Sequence, residues 1–396
     1  MPHITIESFD TSKVVLGEYG ETRVLFISQD LFSDDEMLGV EIRGETFLLH
    51  IKKAKKSWLL KYDKLTRPLD VNIVKQAISD ISMAFDLTVL NSNININSSR
   101  ASLANAYEKG IEDFIDMEFS KSVFFKSISI EVGFGSGKHL IYQAQKNPKR
   151  LFIGIEIHTP SAQQVLRQVE LLGIDNIWVV NYDARLLFEM LPSNLIHRVY
   201  VHFPVPWDKK PQRRVISKSF LEESMRILEQ SGKLELRTDS YKYFWYALET
   251  FLGDEVAKTS VEIRKNEALD ITSKYEARWL RQEKDIYDVY VTSANKSEPR
   301  VLDFDFSFNG IKYKESLLTQ LPKKPVIFDD YFVHFERVYR VSQSAILLKL
   351  AFGSFNRPEH KYIYMNEKGT EYFSSAPVKT LTNHKTHLKI EGFLNV

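Results

Sequence analysis

Glu131-Val-Gly133-Phe-Gly135-Ser-Gly137 is the first stretch of this 396-residue sequence whose residue types and spacing suggest chemistry. Three glycines at alternate positions follow the apolar run Ile128-Ser-Ile-Glu-Val, a pattern for a strand turning into a helix with its backbone open to a ligand. Dinucleotide-binding enzymes hold pyrophosphate on nearly the same turn, so the glycines alone do not choose the ligand. Glu131 shifts the choice: a carboxylate two residues before the first glycine repels pyrophosphate and attracts the cationic amino acid part of S-adenosylmethionine. A phosphate-loop reading of Gly137-Lys138 fails, because Val132 stands where that motif needs glycine and His139 where it needs Ser or Thr. A tight turn that binds nothing is the plain alternative.

Further candidates follow in chain order. Glu156 ends a second apolar run at the distance where a carboxylate bonds ribose hydroxyls in nucleotide-binding α/β folds, or is a solvated strand-end charge. Asp183, after a third run, is an acceptor for an adenine amino group, the cap of a helix beginning near Ala184, or both. The most unusual stretch is His202-Phe-Pro204-Val-Pro206-Trp207-Asp208-Lys209-Lys210-Pro-Gln-Arg213-Arg214. Prolines fix this loop, Lys209, Lys210, Arg213 and Arg214 can grip phosphates, and Trp207 offers a stacking or packing face. A solvated charge run is the alternative. Arg237-Thr238-Asp239 and Thr272-Ser273-Lys274-Tyr275-Glu276 place carboxylates near strand ends, the second group being as readily a solvated loop. His139 and His158 lack any His-Glu-x-x-His or carboxylate–histidine spacing, so no metal site is expected.

These residues need a scaffold. From Ser127 to about Thr292 short apolar runs alternate with amphipathic stretches, the βαβα pattern of an open parallel sheet. Expected strands are Ile128–Val132, Leu151–Glu156, Ile177–Val180, Arg198–Phe203 and Lys233–Arg237, with helices near Ser161–Leu172 and Phe220–Glu229. The cationic loop leaves the carboxyl end of a central strand, where open α/β sheets bind ligands. The chain divides into a β-rich N-terminal region (1–90), with a helix near Asn72–Phe85, then a linker and helix (91–126). The sheet domain (127–295) and a second β-rich region (296–396) complete it. The tract Asn91-Ser-Asn-Ile-Asn-Ile-Asn-Ser-Ser reads as a connector, a helix is expected at about Leu103–Met117, and the C-terminal runs Phe304-Asp-Phe-Ser-Phe and Tyr331–Tyr339 read as strands.

Lys plus Arg number 53 against 52 Asp plus Glu, a net charge of +1, so a nucleic-acid partner needs a local basic face. The absence of cysteine excludes disulfides, Cys-ligated zinc, iron–sulfur clusters and a thiol nucleophile, and fits a reducing, cytoplasmic setting. No run reaches the roughly 18 apolar residues of a spanning helix, so no membrane is expected.

Taken in order, these motifs resemble the bacterial tRNA (guanine-N7)-methyltransferases, over about Ser127 to Val291. Glu131-Val-Gly-Phe-Gly-Ser-Gly is similar to their donor loop, Phe152-Ile-Gly-Ile-Glu156-Ile-His to their second strand, and Phe203-Pro-x-Pro-Trp-x-Lys-Lys to their signature loop. Thr238-Asp239 and Ser273-Lys-Tyr-Glu276 match as well. The resemblance implies a Rossmann-like S-adenosylmethionine-dependent methyltransferase fold with added β-rich terminal regions, acting on a variable-loop guanine of tRNA. It implies Glu131, Glu156 and Asp183, with Gly133, Gly135 and Gly137, at the donor. Lys209, Asp239 and the Ser273–Glu276 group fall near the tRNA, and Arg213 and Arg214 add to its phosphate footprint. Asp239 is the candidate catalytic carboxylate for the guanine N1–H and N2 amino edge, with Asp208 a weaker one. Two positions depart from the pattern: Val205 stands where the family has Asp, and Ser273 where it has Thr. Val205 is the one motive for the rival reading, a catalytically silent RNA-binding protein. Oligomeric state, monomer or homodimer, stays open.

Overall fold

The computed structural model describes residues 2–68, 70–94, 107–114, 125–253, 259–271, 276, 281–355 and 357–395. Two compact units form, Ala104–Asp303 and the combination of Met1–Leu103 with Phe304–Val396. Along the chain the first segment carries β1 (His3–Ile6), β2 (Gly17–Tyr19), β3 (Thr22–Asp30), β4 (Glu36–Ile42), β5 (Glu45–Lys53), β6 (Trp58–Tyr62), α1 (Val71–Ala84) and β7 (Val89–Ser92). The middle unit carries β8 (Ser127–Val132), α2 (Lys138–Lys146), β9 (Arg150–Ile155), α3 (Thr159–Leu172), β10 (Ile177–Val180), α4 (Ala184–Met190) and β11 (Ile196–His202). It continues with α5 (Lys218–Ile227), β12 (Leu228–Thr238), α6 (Tyr241–Leu252), β13 (Thr259–Lys265) and β14 (Tyr287–Ser293). The last segment carries α7 (Leu317–Gln320), β15 (Val326–Ile327), β16 (Tyr331–Ser342), β17 (Ala345–Ser354), β18 (Glu359–Asn366), β19 (Thr370–Phe373) and α8 (Leu381–Leu394).

The middle unit is built on a sheet of order β10-β9-β8-β11-β12-β14-β13. The strands from β10 to β12 are parallel, whereas β14 runs antiparallel to both β12 and β13. This is a doubly wound α/β sheet ending in an antiparallel pair, whereas the dinucleotide-binding order 3-2-1-4-5-6 has none. Local chemistry sets the helix starts. Asp183, Ser217 and Ser240 cap α4, α5 and α6 through side-chain oxygens, and Gly173 ends α3 in the left-handed conformation. Ile130, Ile153, Leu187, Val199, Leu234 and Phe244 belong to one buried cluster of this unit, and Phe134, Leu140, Phe152, Val165 and Ile177 to another.

In the other unit one sheet runs β19-β18-β17-β16-β3-β4-β5-β6-β1-β7. The two terminal regions, read from sequence as separate, therefore share a single ladder. They join where β16 pairs β3 through Tyr339↔Asp30 and Arg340↔Gln29, and Arg337 Nη1 donates to the buried Asp30 carboxylate at 2.8 Å. The helix α1 buries Val74, Ala77, Ile78 and Ile81 with Val40, Leu49 and Leu60. Ile390 and Leu394 of α8 join Leu348, Leu350 and Phe352.

Three local readings change. Phe304–Phe308 alternates like a strand but forms none; the ring of Phe304 stacks on His384 of α8 at 4.1 Å and that of Phe308 lies 4.7 Å from His387. Packing on a helix absorbs rings that otherwise need a sheet face. Asn91 and Ser92 open the polar tract yet complete β7 opposite Thr5 and Ile4. Of the helix expected at Leu103–Met117, residues 107–114 are described, and in place of an α-helix they hold a β-bridge from Glu108 to Val179 and a 3-10 turn at Ile111–Phe114. α8, α6 and β13 were not expected.

Candidate functional site

The glycine turn joins β8 to α2, and Gly133, Gly135 and Gly137 all have positive φ, at 72°, 55° and 71°. At Gly133 and Gly135 the position of a Cβ is open to 4 Å, so the loop presents bare backbone on that side. Gly137 is different: a Cβ there would stand 2.4 Å from Val165 Cγ2, so this glycine lets α2 and α3 approach. Such an exposed, left-handed backbone turn fits a donor that needs close contact with main-chain amides.

Each expected donor carboxylate already has a partner within the chain. Glu156 Oε2 accepts from Gly135 N and its Oε1 from His158 N, both at 2.9 Å, so this side chain fixes the glycine turn against the end of β9. Each oxygen retains acceptor capacity for a hydroxyl. Asp183 caps α4 by accepting from Arg185 N and is gripped by the Arg185 guanidinium, with Nη2 at 2.7 Å. Glu131 is buried and accepts from His139 Nδ1 at 2.8 Å. Burial pushes His139 toward its neutral form, but the Glu131 carboxylate outweighs it, with Glu235 and Glu276 adding, and holds the imidazole above its ordinary value. The carboxylate that the sequence assigned to the donor thus already has one oxygen engaged by His139.

The cationic loop leaves β11 and is tied back to β12 by Phe203 N donating to Arg237 O at 2.7 Å. Phe203 and Trp207 take positive φ, at 50° and 46°. Lys209, Lys210 and Arg213 are exposed, and the Arg213 guanidinium lies 5.2 Å from the Trp207 ring. Arg214 departs from the expectation. It is 9% exposed, donates from Nε to Pro206 O at 2.8 Å, and stacks on Tyr246 at 4.3 Å. It holds the loop from beneath and offers no phosphate grip. Val205 is 59% exposed.

Asp239 stands just beyond β12, partly exposed, with Lys284 Nζ donating to its Oδ2 at 3.1 Å. Thr238 is buried. Glu276 is also buried, and its Oε1 accepts from Arg237 Nη2 at 2.6 Å, so it serves the interior rather than a surface. Ser273, Lys274 and Tyr275 lie outside the described residues. Among the described residues no cluster of His, Asp or Glu could hold a metal ion, and no helix is long and apolar enough to cross a membrane.

The structure also contains an ionised layer that the sequence reading missed. Register places Glu131, Tyr200, Glu235 and Tyr290 side by side on neighbouring strands, and His202, Arg237 and Asp288 in the next row. His202 Nε2 donates to Glu235 Oε1 at 2.9 Å, and Arg237, 1% exposed, also bonds Asp288 Oδ1 at 2.5 Å. Burial pushes Glu235 up, but His202, Arg198 and His139 outweigh it and hold this carboxyl below its ordinary value. The signal was available: Arg198-Val-Tyr-Val-His and Lys233-Leu-Glu-Leu-Arg alternate polar with apolar, whereas strands buried on both faces read as continuous apolar runs.

A family model described as "Putative methyltransferase" matches residues 126–289. A protein of Wolinella succinogenes called tRNA (guanine-N(7)-)-methyltransferase is 38% identical over 399 residues, covering 100% of both chains. Proteins of the same name from Campylobacter fetus subsp. fetus and Helicobacter hepaticus are each 37% identical; they cover 100% and 98% of this chain, and 99% and 98% of their own lengths.

Proposed function

We infer the activity from the family to which this chain belongs, the tRNA (guanine-N7)-methyltransferases: it transfers a methyl group from S-adenosylmethionine to N7 of a guanine in tRNA, and we propose that this guanine lies in the variable loop. Bound S-adenosylmethionine supplies a methyl group activated by its sulfonium. Residues of this chain that would hold it are the bare amides of the Gly133–Gly137 turn, Glu156 beneath them and Asp183 at the next strand end.

Guanine N7 has an in-plane lone pair and no proton, so attack needs no general base. Positioning is the chain's main task, and a well-aligned pair can gain about 7–11 kcal/mol over the bimolecular reaction. Asp239 is the carboxylate we assign to the N1–H and N2 amino edge of the base. Lys209, Lys210 and Arg213 receive tRNA phosphates, and Arg214 holds their loop in shape. Val205 removes one carboxylate from the loop without removing a proton acceptor that N7 chemistry requires. A tRNA substrate supports a cytoplasmic location.

The observation that carries this reading is the shared edge of the sheet: the open glycine turn after β8 and the cationic loop after β11 leave neighbouring parallel strands at their carboxyl ends. Incubating the purified protein with donor and unmodified tRNA, then mapping 7-methylguanosine by nuclease digestion and mass spectrometry, should find one methylated guanine in the variable loop. Methylation elsewhere overturns the assignment of the loop. Binding of donor and tRNA without any 7-methylguanosine would establish a silent RNA-binding protein instead.

A further inference from the structure

The unit formed by the two terminal segments contains a concavity of about 380 Å³ that the methyl-transfer site does not use. Its walls come from both segments. Lys52 of β5, Lys61 of β6 and Lys64 just beyond it line one side; Arg337 of β16 and Lys349 of β17 line the other. His50 and His360 complete the ring of basic groups. The sheet reaches across itself at this point, because Tyr362 of β18 donates its hydroxyl to Asp63 Oδ2 at 3.2 Å. Phe26, Met37, Leu48, Tyr339, Leu347 and Tyr362 share an apolar cluster of this unit, and Met37, Tyr339 and Tyr362 also line the hollow.

The charge in this hollow is unbalanced. Five permanent cations line it against two carboxylates, Asp35 and Asp63. Asp35 lies within ion-pair range of His50, Lys52 and Arg337, at 3.4, 3.8 and 4.0 Å. Lys349 and His360 share Glu336, at 3.2 and 3.3 Å. Lys61 and Lys64 have no ion-pair partner among the described residues. Arg337 is bonded in addition to Asp30 at 2.8 Å, so the charge left uncompensated is that of Lys61 and Lys64, two neighbouring cations whose mutual repulsion an anion would relieve. Its lysines, arginine and tyrosines are groups that hold sugar–phosphate backbone, the cations meeting phosphates and the tyrosine hydroxyls and rings meeting the sugars.

We propose that this concavity is an RNA-backbone subsite, in which Lys61 and Lys64 contact phosphodiester groups of the tRNA. The proposal rests on tRNA being the substrate and extends it to the accessory unit. It accounts for why both ends of the chain are needed to build one sheet: neither segment alone supplies both cationic walls.

The test uses the full-length protein and its K61Q/K64Q variant. tRNA affinity is measured across a salt series, and S-adenosylhomocysteine affinity by calorimetry. Loss of two phosphate contacts should reduce the log–log salt slope by about 1.4–1.8 and weaken tRNA binding at least tenfold at low salt, with donor-site affinity unchanged. The K61R/K64R variant, which keeps both charges, should restore the slope. Should K61Q/K64Q lower the melting temperature, K64Q alone, at an exposed position beyond β6, should give a slope reduction of about 0.7–0.9 by itself. Unchanged tRNA affinity and slope in both glutamine variants, while the wild type still makes 7-methylguanosine, overturns this proposal and leaves the activity standing. A wild type that makes none overturns the activity, whatever the slopes. A titration with inorganic phosphate and with ATP separates the other source of the same chemistry: micromolar binding of either, abolished by K61Q/K64Q without change in tRNA affinity, assigns the hollow to a free anion and refutes the RNA subsite.

Discussion

Replacing Arg214 with Met should separate the two adjacent arginines of the cationic loop, which sequence alone treats alike. Arg214 is nearly buried, and four contacts depend on its guanidinium: a hydrogen bond to Pro206 O at 2.8 Å, ring contacts with Tyr246 at 4.3 Å and Tyr243 at 5.5 Å, and an ion pair with Asp208 at 3.7 Å. A hydrogen bond from a charged donor is worth about 1.5–3 kcal/mol. A desolvated cation–π contact adds roughly 1–2 kcal/mol. The Asp208 pair adds little, since that carboxylate is largely exposed. Methionine keeps part of the packing, so Arg214→Met should cost about 2–4 kcal/mol, a fall in melting temperature on the order of 4–16 °C for a unit of this size. Turnover on tRNA should drop because the loop loses its support, yet the salt slope of tRNA binding should stay where it is. Arg213→Met should do the reverse: little change in melting temperature, and a slope lower by about 0.7–0.9. Thermal melts and salt-series binding on the two variants decide between them. A slope reduction in Arg214→Met with an unchanged melting temperature would refute the assignment of Arg214 to the loop's interior.

Three further outcomes follow from the site. Glu156→Ala removes the acceptor for both Gly135 N–H and His158 N–H, so donor affinity measured by calorimetry should weaken by roughly 1.5–3 kcal/mol; an unchanged constant removes Glu156 from the donor site. Asp239→Asn should lower kcat on tRNA while tRNA affinity changes little, since one base-edge contact is altered and the phosphate contacts remain; full activity would exclude Asp239 as the guanine acceptor. The Glu131–His139 pair should show in the pH dependence of stability. His139 has its folded pKa raised, so its contribution is fully present below the unfolded value near 6.5 and is lost as pH rises through the folded one. Glu131→Gln should therefore destabilise more at pH 5.5 than at pH 8.5, and equal losses in denaturation at both would show that the pair does not ionise.

Much of the middle unit was legible because its strands are short apolar runs ended by glycine, proline or charge. Ile177–Val180 matches the expected strand residue for residue, and α3 ends at Leu172 as expected, stopped by Gly173. The terminal unit was less legible because its defining contacts are remote in sequence: Arg337 meets Asp30, and Tyr362 meets Asp63. Local patterning identifies strands but carries no information about which distant edge will accept them. Phe304–Phe308 shows the converse limit, where a strand-like period is used to pack rings on a helix.

The site divides along the same line. Residue types located the turn, the loop and the carboxylates, but not which of those groups the protein spends on itself. Glu131, Arg214 and Glu276 were assigned to a ligand and Asp183 to a ligand, a helix cap or both, and each proves to have a strong internal partner. A charged group in a parallel sheet buried on both faces must be paired or lose its charge. The carboxylate and histidine alternation of β8, β11 and β12 therefore required an internal network before any ligand was considered. What remains for the ligands is the open backbone at Gly133 and Gly135, the acceptor capacity left on Glu156 and Asp183, the exposed Lys209, Lys210 and Arg213, and Asp239 just beyond β12. That division makes the paired layer the support of the site: Glu131→Gln acts within the layer and is expected to alter stability, whereas Glu156→Ala, Asp239→Asn and Arg213→Met act at or beyond the strand ends and are expected to alter binding or turnover.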